Sequence, residues 1–156
     1  MNNLQTHYLY PSAIYISRKP FYITTILGSC IAVCLWDKKL KFGGMNHYML
    51  PFWNGLGLAS PKYGNIAIEK LIERMLFNGS KKENLIAKVF GGGEIIANQS
   101  ELFNIGKRNI EISKIILAEK NIPIVGSSVG GILGRKIWFN TENSEVILKY
   151  IKKTKK

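Results

Sequence analysis

Two side chains in the first third of the sequence have the chemistry of a nucleophile and a base. Cys30 follows Gly28-Ser29 at a break between two β-forming runs, where the backbone can turn sharply and leave N–H groups free to bind an oxyanion. His47 stands 17 residues later. A neighbouring imidazole can take the proton of a thiol and make the sulfur far more nucleophilic. The pattern therefore indicates thiol catalysis if the fold brings Cys30 and His47 together.

Each of these residues also has a structural interpretation. A free cysteine is often a small buried residue, and position alone favours that role for Cys30. A lone histidine in an apolar strand is more often a core residue than a base. The other cysteine, Cys34, has no glycine turn before it and is interpreted as structural. His7 lies in a polar N-terminal arm and has no partner for this chemistry.

The elements that carry Cys30 and His47 are predicted to form a hairpin. Residues 30–36 form a near-continuous apolar run, which is typical of a strand buried on both faces. Asp37-Lys38-Lys39 predicts a polar turn, and residues 41–50 return as a strand whose two adjacent glycines indicate a bulge or a close backbone approach. In such an antiparallel pair, Cys30 and His47 come near the open end.

Two main helices are predicted further along the chain. Apolar residues recur at helical spacing from Ile68 to Leu76, with Asn65 as the expected N-cap and Asn78-Gly79 as the expected stop. Asn104 is expected to cap the second helix. Three residues are expected to share one face of that helix: Ile112, Ile115 and Ile116.

The remaining pattern predicts a mixed α/β domain of the α+β type, layered, with a largely antiparallel β core. Further strands are expected at residues 21–27, 85–90, 122–125, 135–139 and 146–151. No repeat or linker divides the chain, so residues 1–156 are interpreted as one domain. Residues 1–10 are expected to form an N-terminal arm, and residues 149–156 a frayed basic tail.

Composition excludes several classes of protein. The apolar share of 46% is that of an ordinary globular protein, and no run approaches the 18 apolar residues of a membrane helix. The first residues lack the pattern of a signal peptide. A disulfide between two cysteines four residues apart would close too small a loop to stabilise a domain. We therefore expect a cytoplasmic protein with reduced thiols.

The net charge of +12, with 22 Lys and Arg against 10 Asp and Glu, leaves two interpretations open. The excess charge either solvates the surface and tail or attracts an acidic partner. No zinc-finger spacing, RRM signature or basic recognition helix accompanies the charge, so a nucleic-acid-binding protein is a weak alternative.

Cys–His chemistry usually needs a third group that orients the imidazole. Residues 21–36 contain no Asp or Glu. Thr24 is a candidate, because its hydroxyl could hold one ring nitrogen and set the tautomer. Thr24 is also an ordinary β-branched strand residue, and spacing alone does not decide between these roles.

The motifs around Cys30 and His47 are specific: Gly-Ser-Cys at 28–30 and Gly-Gly-Met-x-His at 43–47. Five more segments continue in order along the chain: Lys62-Tyr63-Gly64, Lys88-Val89-Phe90-Gly91-Gly92, Ile105-Gly106-Lys107-Arg108-Asn109, Ile122-Pro123-Ile124-Val125 and Gly130-Gly131-Ile132-Leu133-Gly134-Arg135-Lys136. Through these motifs the sequence strongly resembles the chemoreceptor glutamine deamidase family, CheD.

The resemblance implies a catalytic triad of Cys30, His47 and Thr24. It also implies a layered α/β fold similar to the deamidating domain of bacterial cytotoxic necrotizing toxins. The implied substrates are glutamines on the cytoplasmic helical domain of chemoreceptors, and a second implied partner is the phosphatase CheC. No metal or organic cofactor is expected.

The expected reaction is attack of the Cys30 thiolate on a glutamine carboxamide, followed by hydrolysis of a thioester. Backbone N–H groups near Ser29 and Cys30 would bind the oxyanion, and the Ser29 hydroxyl is either a further donor or a turn residue. The alternative from another class is a non-catalytic adaptor that binds receptor or phosphatase.

Overall fold

The computed structural model describes residues 3–94 and 104–152. In these ranges the chain forms nine strands, two α-helices and one short 3-10 turn at Lys82–Asn84. The strands are β1 (Gln5–Tyr8), β2 (Ile14–Ser17), β3 (Phe21–Leu27), β4 (Ile31–Asp37), β5 (Phe42–Asn46), β6 (Leu85–Gly91), β7 (Ile124–Val129), β8 (Gly134–Asn140) and β9 (Val146–Ile151). The helices are α1 (Gly64–Phe77) and α2 (Ile105–Glu119).

The strands form two sheets that pack face to face, and both helices cover the outer face of the second sheet. The first sheet has the order β1-β3-β8-β9, and the second has the order β2-β5-β4-β6-β7. Neighbouring strands are antiparallel except for the pairs β1–β3 and β6–β7. This arrangement confirms the predicted α+β class with a largely antiparallel core. The similarity to the toxin domain stays a prediction.

Strand β4 lies at the centre of the molecule, and all seven of its residues are buried. Because side chains alternate across a strand, β4 contributes to two apolar cores. Ile31, Val33 and Leu35 pack toward the helices, whereas Ala32 and Cys34 pack between the two sheets. The near-continuous apolar run in the sequence reflects this burial on both faces.

The predicted hairpin is confirmed, although its second strand is shorter than residues 41–50. Strands β4 and β5 pair with Cys34 opposite Met45, and an isolated bridge joins Ile31 to Tyr48. Between these points the ladder is interrupted, because the Val33 N–H donates to the side-chain oxygen of Asn46 at 2.9 Å. Strand β5 therefore ends at Asn46.

Parts of the N-terminal arm and of the predicted basic tail belong to strands. The N-terminal arm contains β1, which pairs in parallel with β3, and β2 follows it along the edge of β5. These four-residue strands are too short for their alternation to be recognised from sequence. Lys149 lies within β9, so the expected fraying does not begin there. Residues 1–2 of the arm and residues 153–156 of the tail lie outside the described residues.

The helix predictions are confirmed in position and corrected in detail. Tyr63, and not Asn65, is the N-cap of α1, since the side-chain oxygen of Asn65 accepts the Trp53 N–H from the preceding loop. Asn104 occupies the predicted N-cap position of α2, but its side chain makes no capping hydrogen bond among the described residues. On α2, Ile116 lies on the buried face together with Asn109, whereas Ile115 is 53% exposed. Within the described ranges, neither helix combines the length and hydrophobicity required to span a bilayer.

We predict that Gly43→Ala destabilises the fold by about 1–3 kcal/mol, because a Cβ there would lie 2.5 Å from the Leu35 carbonyl oxygen, a backbone atom that cannot yield. Urea unfolding measures the change. The matched control is Gly126→Ala in β7, where a Cβ would meet the flexible Lys88 side chain at 3.4 Å. Equal losses of unfolding free energy in the two variants would contradict the predicted close contact.

Candidate active site

The turn that carries Cys30 is held by the glycine run that follows β6. The Cys30 carbonyl accepts the Gly92 N–H, and the Gly28 carbonyl accepts the Gly93 N–H, each at 2.9 Å. Gly91 has a φ of +110°, and a Cβ on it would lie 2.1 Å from the Cys30 carbonyl oxygen. Only glycine fits at this position, because both the backbone conformation and the contact exclude a side chain. The cysteine therefore sits on a rigid turn.

His47 shares a sheet face with Cys30. The Ile31–Tyr48 bridge has the same register as the Cys34–Met45 pair, so Met49 stands opposite Cys30. His47 is then the diagonal neighbour of Cys30 on the face toward the first sheet. Diagonal neighbours in an antiparallel pair are within reach of each other's side chains. This register places Cys30 and His47 on one face of the two neighbouring segments, as the predicted hairpin requires.

The imidazole of His47 is oriented by Thr25 of β3, which belongs to the other sheet. The Thr25 hydroxyl oxygen lies 2.7 Å from His47 Nδ1 and 2.7 Å from the Leu9 carbonyl oxygen. A carbonyl can only accept, so the single hydroxyl hydrogen of Thr25 goes to Leu9. His47 Nδ1 must then carry the proton and donate it to Thr25. This assigns the lone pair to Nε2, the nitrogen that can act as a base.

The segment that follows β1 supports this arrangement through contacts with β3 and with the His47 backbone. Leu9 is 1% exposed, and its N–H donates to the Thr24 carbonyl at 2.8 Å while its own carbonyl holds the Thr25 hydroxyl. The Ser12 N–H donates to the His47 carbonyl at 2.8 Å. The arm therefore fixes both the hydroxyl that orients the imidazole and the backbone that carries it.

The expectation that Thr24 holds the imidazole is corrected by the structure. The Thr24 hydroxyl donates to the Ile137 carbonyl at 2.7 Å. Side chains alternate along β3, and Thr25 is in phase with Ile23 and Leu27, which face the core between the sheets. Thr24 is out of phase with them. Its role in turnover stays a prediction, but the contact with His47 belongs to Thr25.

Burial keeps both members of the Cys30–His47 pair neutral in the free protein. Desolvation lowers the pKa of His47 to about 4. Desolvation also raises the pKa of the Cys30 thiol, although a hydrogen bond from the Cys30 backbone acts in the opposite direction. The resting state near neutral pH is a thiol beside a neutral imidazole. Within the described ranges, His47 Nε2 has no hydrogen-bond partner.

The other candidate residues differ from Cys30 and His47 in their surroundings. Cys34 is 2% exposed, and burial strongly raises its thiol pKa, as expected for a structural cysteine. His7 stacks on the Tyr15 ring at 3.7 Å. Ser29 is half-buried, and its role as an oxyanion donor stays a prediction. In the part of the chain that the structure describes, no three His, Cys, Asp or Glu side chains could jointly hold a metal ion.

Sequence reasoning missed Thr25 and Leu9. Both alternations of β3 contain one threonine among apolar residues, so the sequence could not tell which threonine faces inward. Leu9 acts through its backbone carbonyl, and a backbone group has no sequence signature. The signal that was available for Thr25 is its phase with Leu27, the last residue before the Gly28-Ser29 turn.

Comparison with known proteins gives consistent matches. The family model described as CheD chemotactic sensory transduction matches residues 49–150. A relative from Trichlorobacter lovleyi, named a probable chemoreceptor glutamine deamidase CheD, is 49% identical over 93% of this chain and 90% of its own length. A relative of the same name from Sulfurimonas denitrificans is 48% identical over 94% of this chain and 95% of its own length. Another, from Methylobacillus flagellatus, is 36% identical over 96% of this chain and 76% of its own length.

We predict that Thr25→Val slows alkylation of Cys30 by iodoacetamide near neutral pH on the order of tenfold, because the imidazole loses the acceptor that sets its tautomer. The matched variant is Thr24→Val, which removes an equivalent hydroxyl one residue away and should leave the alkylation rate near that of the wild type. Peptide mass spectrometry measures labelling of Cys30 separately from Cys34. A larger effect from Thr24→Val would return the orienting role to Thr24.

Proposed function

The chain belongs to the CheD family, and from that premise we propose that it is a protein-glutamine deamidase. It converts glutamine side chains of chemoreceptors to glutamate and releases ammonia. The substrate segment is the cytoplasmic helical domain of the receptor, so the enzyme works in the cytoplasm. No metal or organic cofactor takes part in this proposal, because the thiol and the imidazole supply both the nucleophile and the proton transfers.

The observation that carries this proposal is the oriented, neutral imidazole of His47 on the same sheet face as Cys30. Thr25 accepts the Nδ1 proton, which leaves the Nε2 lone pair available. The neutral form persists to acidic pH because burial lowers the pKa of His47 to about 4. A buried neutral base beside a thiol on a rigid turn fits nucleophilic attack on a carboxamide.

In the first half of the reaction, His47 Nε2 takes the Cys30 thiol proton as the sulfur attacks the glutamine carboxamide carbon. The carbonyl π bond opens, and its electron pair moves to the oxygen. Backbone N–H groups at the Ser29-Cys30 turn stabilise that oxyanion. The imidazolium then gives its proton to the departing nitrogen, and ammonia leaves as the carbon–nitrogen bond breaks. The product of this half is a thioester between Cys30 and the glutamyl side chain.

In the second half, neutral His47 takes a proton from water, and the resulting hydroxide attacks the thioester carbon. Collapse of the tetrahedral intermediate breaks the carbon–sulfur bond. The proton on His47 returns to the Cys30 sulfur, which restores the thiol, and the carboxylic acid product gives its proton to solvent and leaves as glutamate. One water is consumed, and one ammonia is released per turnover. Thr25 keeps Nδ1 protonated throughout, so the same nitrogen serves both halves.

A second protein partner is supported by the resemblance alone. The resemblance implies the phosphatase CheC as a partner, and the motifs that carry the resemblance extend along nearly the whole chain. We propose the same partner for this chain. Binding to immobilised CheC tests this point separately from catalysis.

We predict that Cys30→Ala abolishes conversion of glutamine to glutamate in a receptor cytoplasmic fragment, because no other group at the site can form the thioester. Mass spectrometry of the digested fragment measures the conversion. Cys34→Ala is the matched control: its sulfur is buried and its thiol pKa is raised, so turnover should persist.

Conversion that persists in Cys30→Ala would refute the proposed mechanism. A wild-type protein that binds the fragment without converting any glutamine would favour the adaptor alternative. Circular dichroism of Cys30→Ala confirms that lost turnover does not reflect lost folding.

We predict that kcat/KM stays high as the pH falls below 6.5 and declines only as the pH approaches about 4. The base must be neutral to take the thiol proton, and the pKa of His47 in the folded protein is about 4 rather than the usual 6.5. The measurement is initial deamidation rate against pH. An acid limb centred at pH 6.5 or above would contradict the role of burial.

Folding must be checked at each pH of this profile. Below pH 6.5 an unfolded histidine binds a proton that folded His47 does not bind until about pH 4, so the free energy of unfolding decreases across this interval. Circular dichroism separates that loss of stability from titration of the base.

A further inference from the structure

The two segments that carry Cys30 and His47 lose their direct backbone pairing at the site itself. Ile31 and Tyr48 exchange two backbone hydrogen bonds of 3.1 and 2.9 Å, and these close the β4–β5 ladder. Beyond them, the N–H groups of Met49 and Leu50 both donate to the Lys62 carbonyl. The next rung of the ladder would join Ser29 to Leu50, so direct pairing ends at Ile31 and Tyr48, which directly adjoin Cys30 and His47. The separation of the two segments at this point sets the reach between thiol and imidazole.

A single buried side chain from α2 joins the diverging segments. Asn109 is 0% exposed, and its amide nitrogen donates to the Ser29 carbonyl at 2.9 Å and to the Met49 carbonyl at 3.0 Å. Both partners are acceptors, so the amide cannot be turned over without losing both bonds. Ser29 directly precedes Cys30, and Met49 stands opposite Cys30 in the register. The amide of Asn109 thus links the two segments at the point where the next backbone hydrogen bonds between them would form.

The hydrogen bonds of Asn109 point to a positioning role and not to packing alone. Its side-chain oxygen is buried and has no hydrogen-bond partner among the described residues. Burying this oxygen costs desolvation free energy, a cost that an apolar residue of the same size would not have. The Tyr48 hydroxyl also donates to the Asn109 backbone carbonyl at 2.6 Å, so the helix is fastened to the His47 segment at this same residue. Asn109 lies on the helix side of the sheet, whereas Cys30 and His47 face the other sheet.

We propose that Asn109 is a positioning residue that holds the Cys30 turn and the His47 segment at their working separation. The inference rests on the proposed function only in taking Cys30 and His47 as the reacting pair. Asn109 acts through the two carbonyls and does not touch the reacting atoms. Loss of its amide lets the segments move apart, and displacement of reacting groups by about 1 Å can cost on the order of 100-fold in rate.

The test is a double-mutant cycle on the second-order rate of Cys30 alkylation by iodoacetamide, in a Cys34→Ala background. We expect Asn109→Ala to lower this rate on the order of 10- to 100-fold. We expect no further decrease when Asn109→Ala is added to His47→Ala, because Asn109 acts through the Cys30–His47 pair. Asn109→Ser, which keeps one donor, should give an intermediate rate and replaces Asn109→Ala if that variant does not fold.

Ser113→Ala is the matched control for loss of a buried polar group from the same helix. The Ser113 hydroxyl donates within α2 to the Ile110 carbonyl at 2.6 Å and also hydrogen-bonds the Tyr48 side chain, whereas the bonds to the Ser29 and Met49 carbonyls belong to Asn109. This variant should lose stability in thermal unfolding without slowing alkylation. A wild-type alkylation rate in Asn109→Ala, or equal losses with and without His47, would overturn the proposal.

Deamidation of the receptor fragment is measured in parallel. Asn109→Ala should lower kcat and leave KM near the wild-type value, because the substrate surface is intact. A wild-type protein that shows the alkylation coupling but no deamidation would refute the proposed function and leave the positioning role standing.

Discussion

The hydroxyl of Thr25 has one hydrogen, and the rest of the site depends on where that hydrogen goes. The Leu9 carbonyl takes it, so the imidazole of His47 must donate from Nδ1 and present its lone pair at Nε2. This chain of hydrogen bonds crosses from one sheet to the other. Any shift of the sheets relative to each other would break it, which makes the packing of the two layers a condition for an oriented base.

The same packing sets the ionisation of the site. Cys30 and His47 line the core between the sheets, where desolvation disfavours both the thiolate and the imidazolium. Burial therefore disfavours a preformed thiolate–imidazolium pair. In the proposed mechanism, charge develops only when a carboxamide is present to receive the sulfur, and the backbone donors of the cysteine turn stabilise that charge. Burial thus limits the reactivity of the thiol toward other electrophiles.

Much of the fold and part of the site were predictable from local pattern. The strand at residues 21–27 and the strand at 146–151 were predicted to the residue, because β-forming runs there end at clear breaks. The hairpin that brings Cys30 toward His47 followed from an apolar run, a polar turn and a returning strand. The face of α2 was predicted in part: Ile116 lies on the buried face with Asn109, whereas Ile115 is exposed, because helical spacing alone does not show how far the buried face extends.

By itself, the sequence determined the α+β class, the Cys30–His47 hairpin and the family, since these depend on short-range periodicity and on ordered motifs. Only the tertiary structure decided which threonine orients the imidazole, how the Leu9 carbonyl sets its tautomer, and how Asn109 joins the two segments. The physical reason is common to all three. Each contact links residues 16 to 80 positions apart through packed layers, and two are made by backbone carbonyls that every residue type possesses.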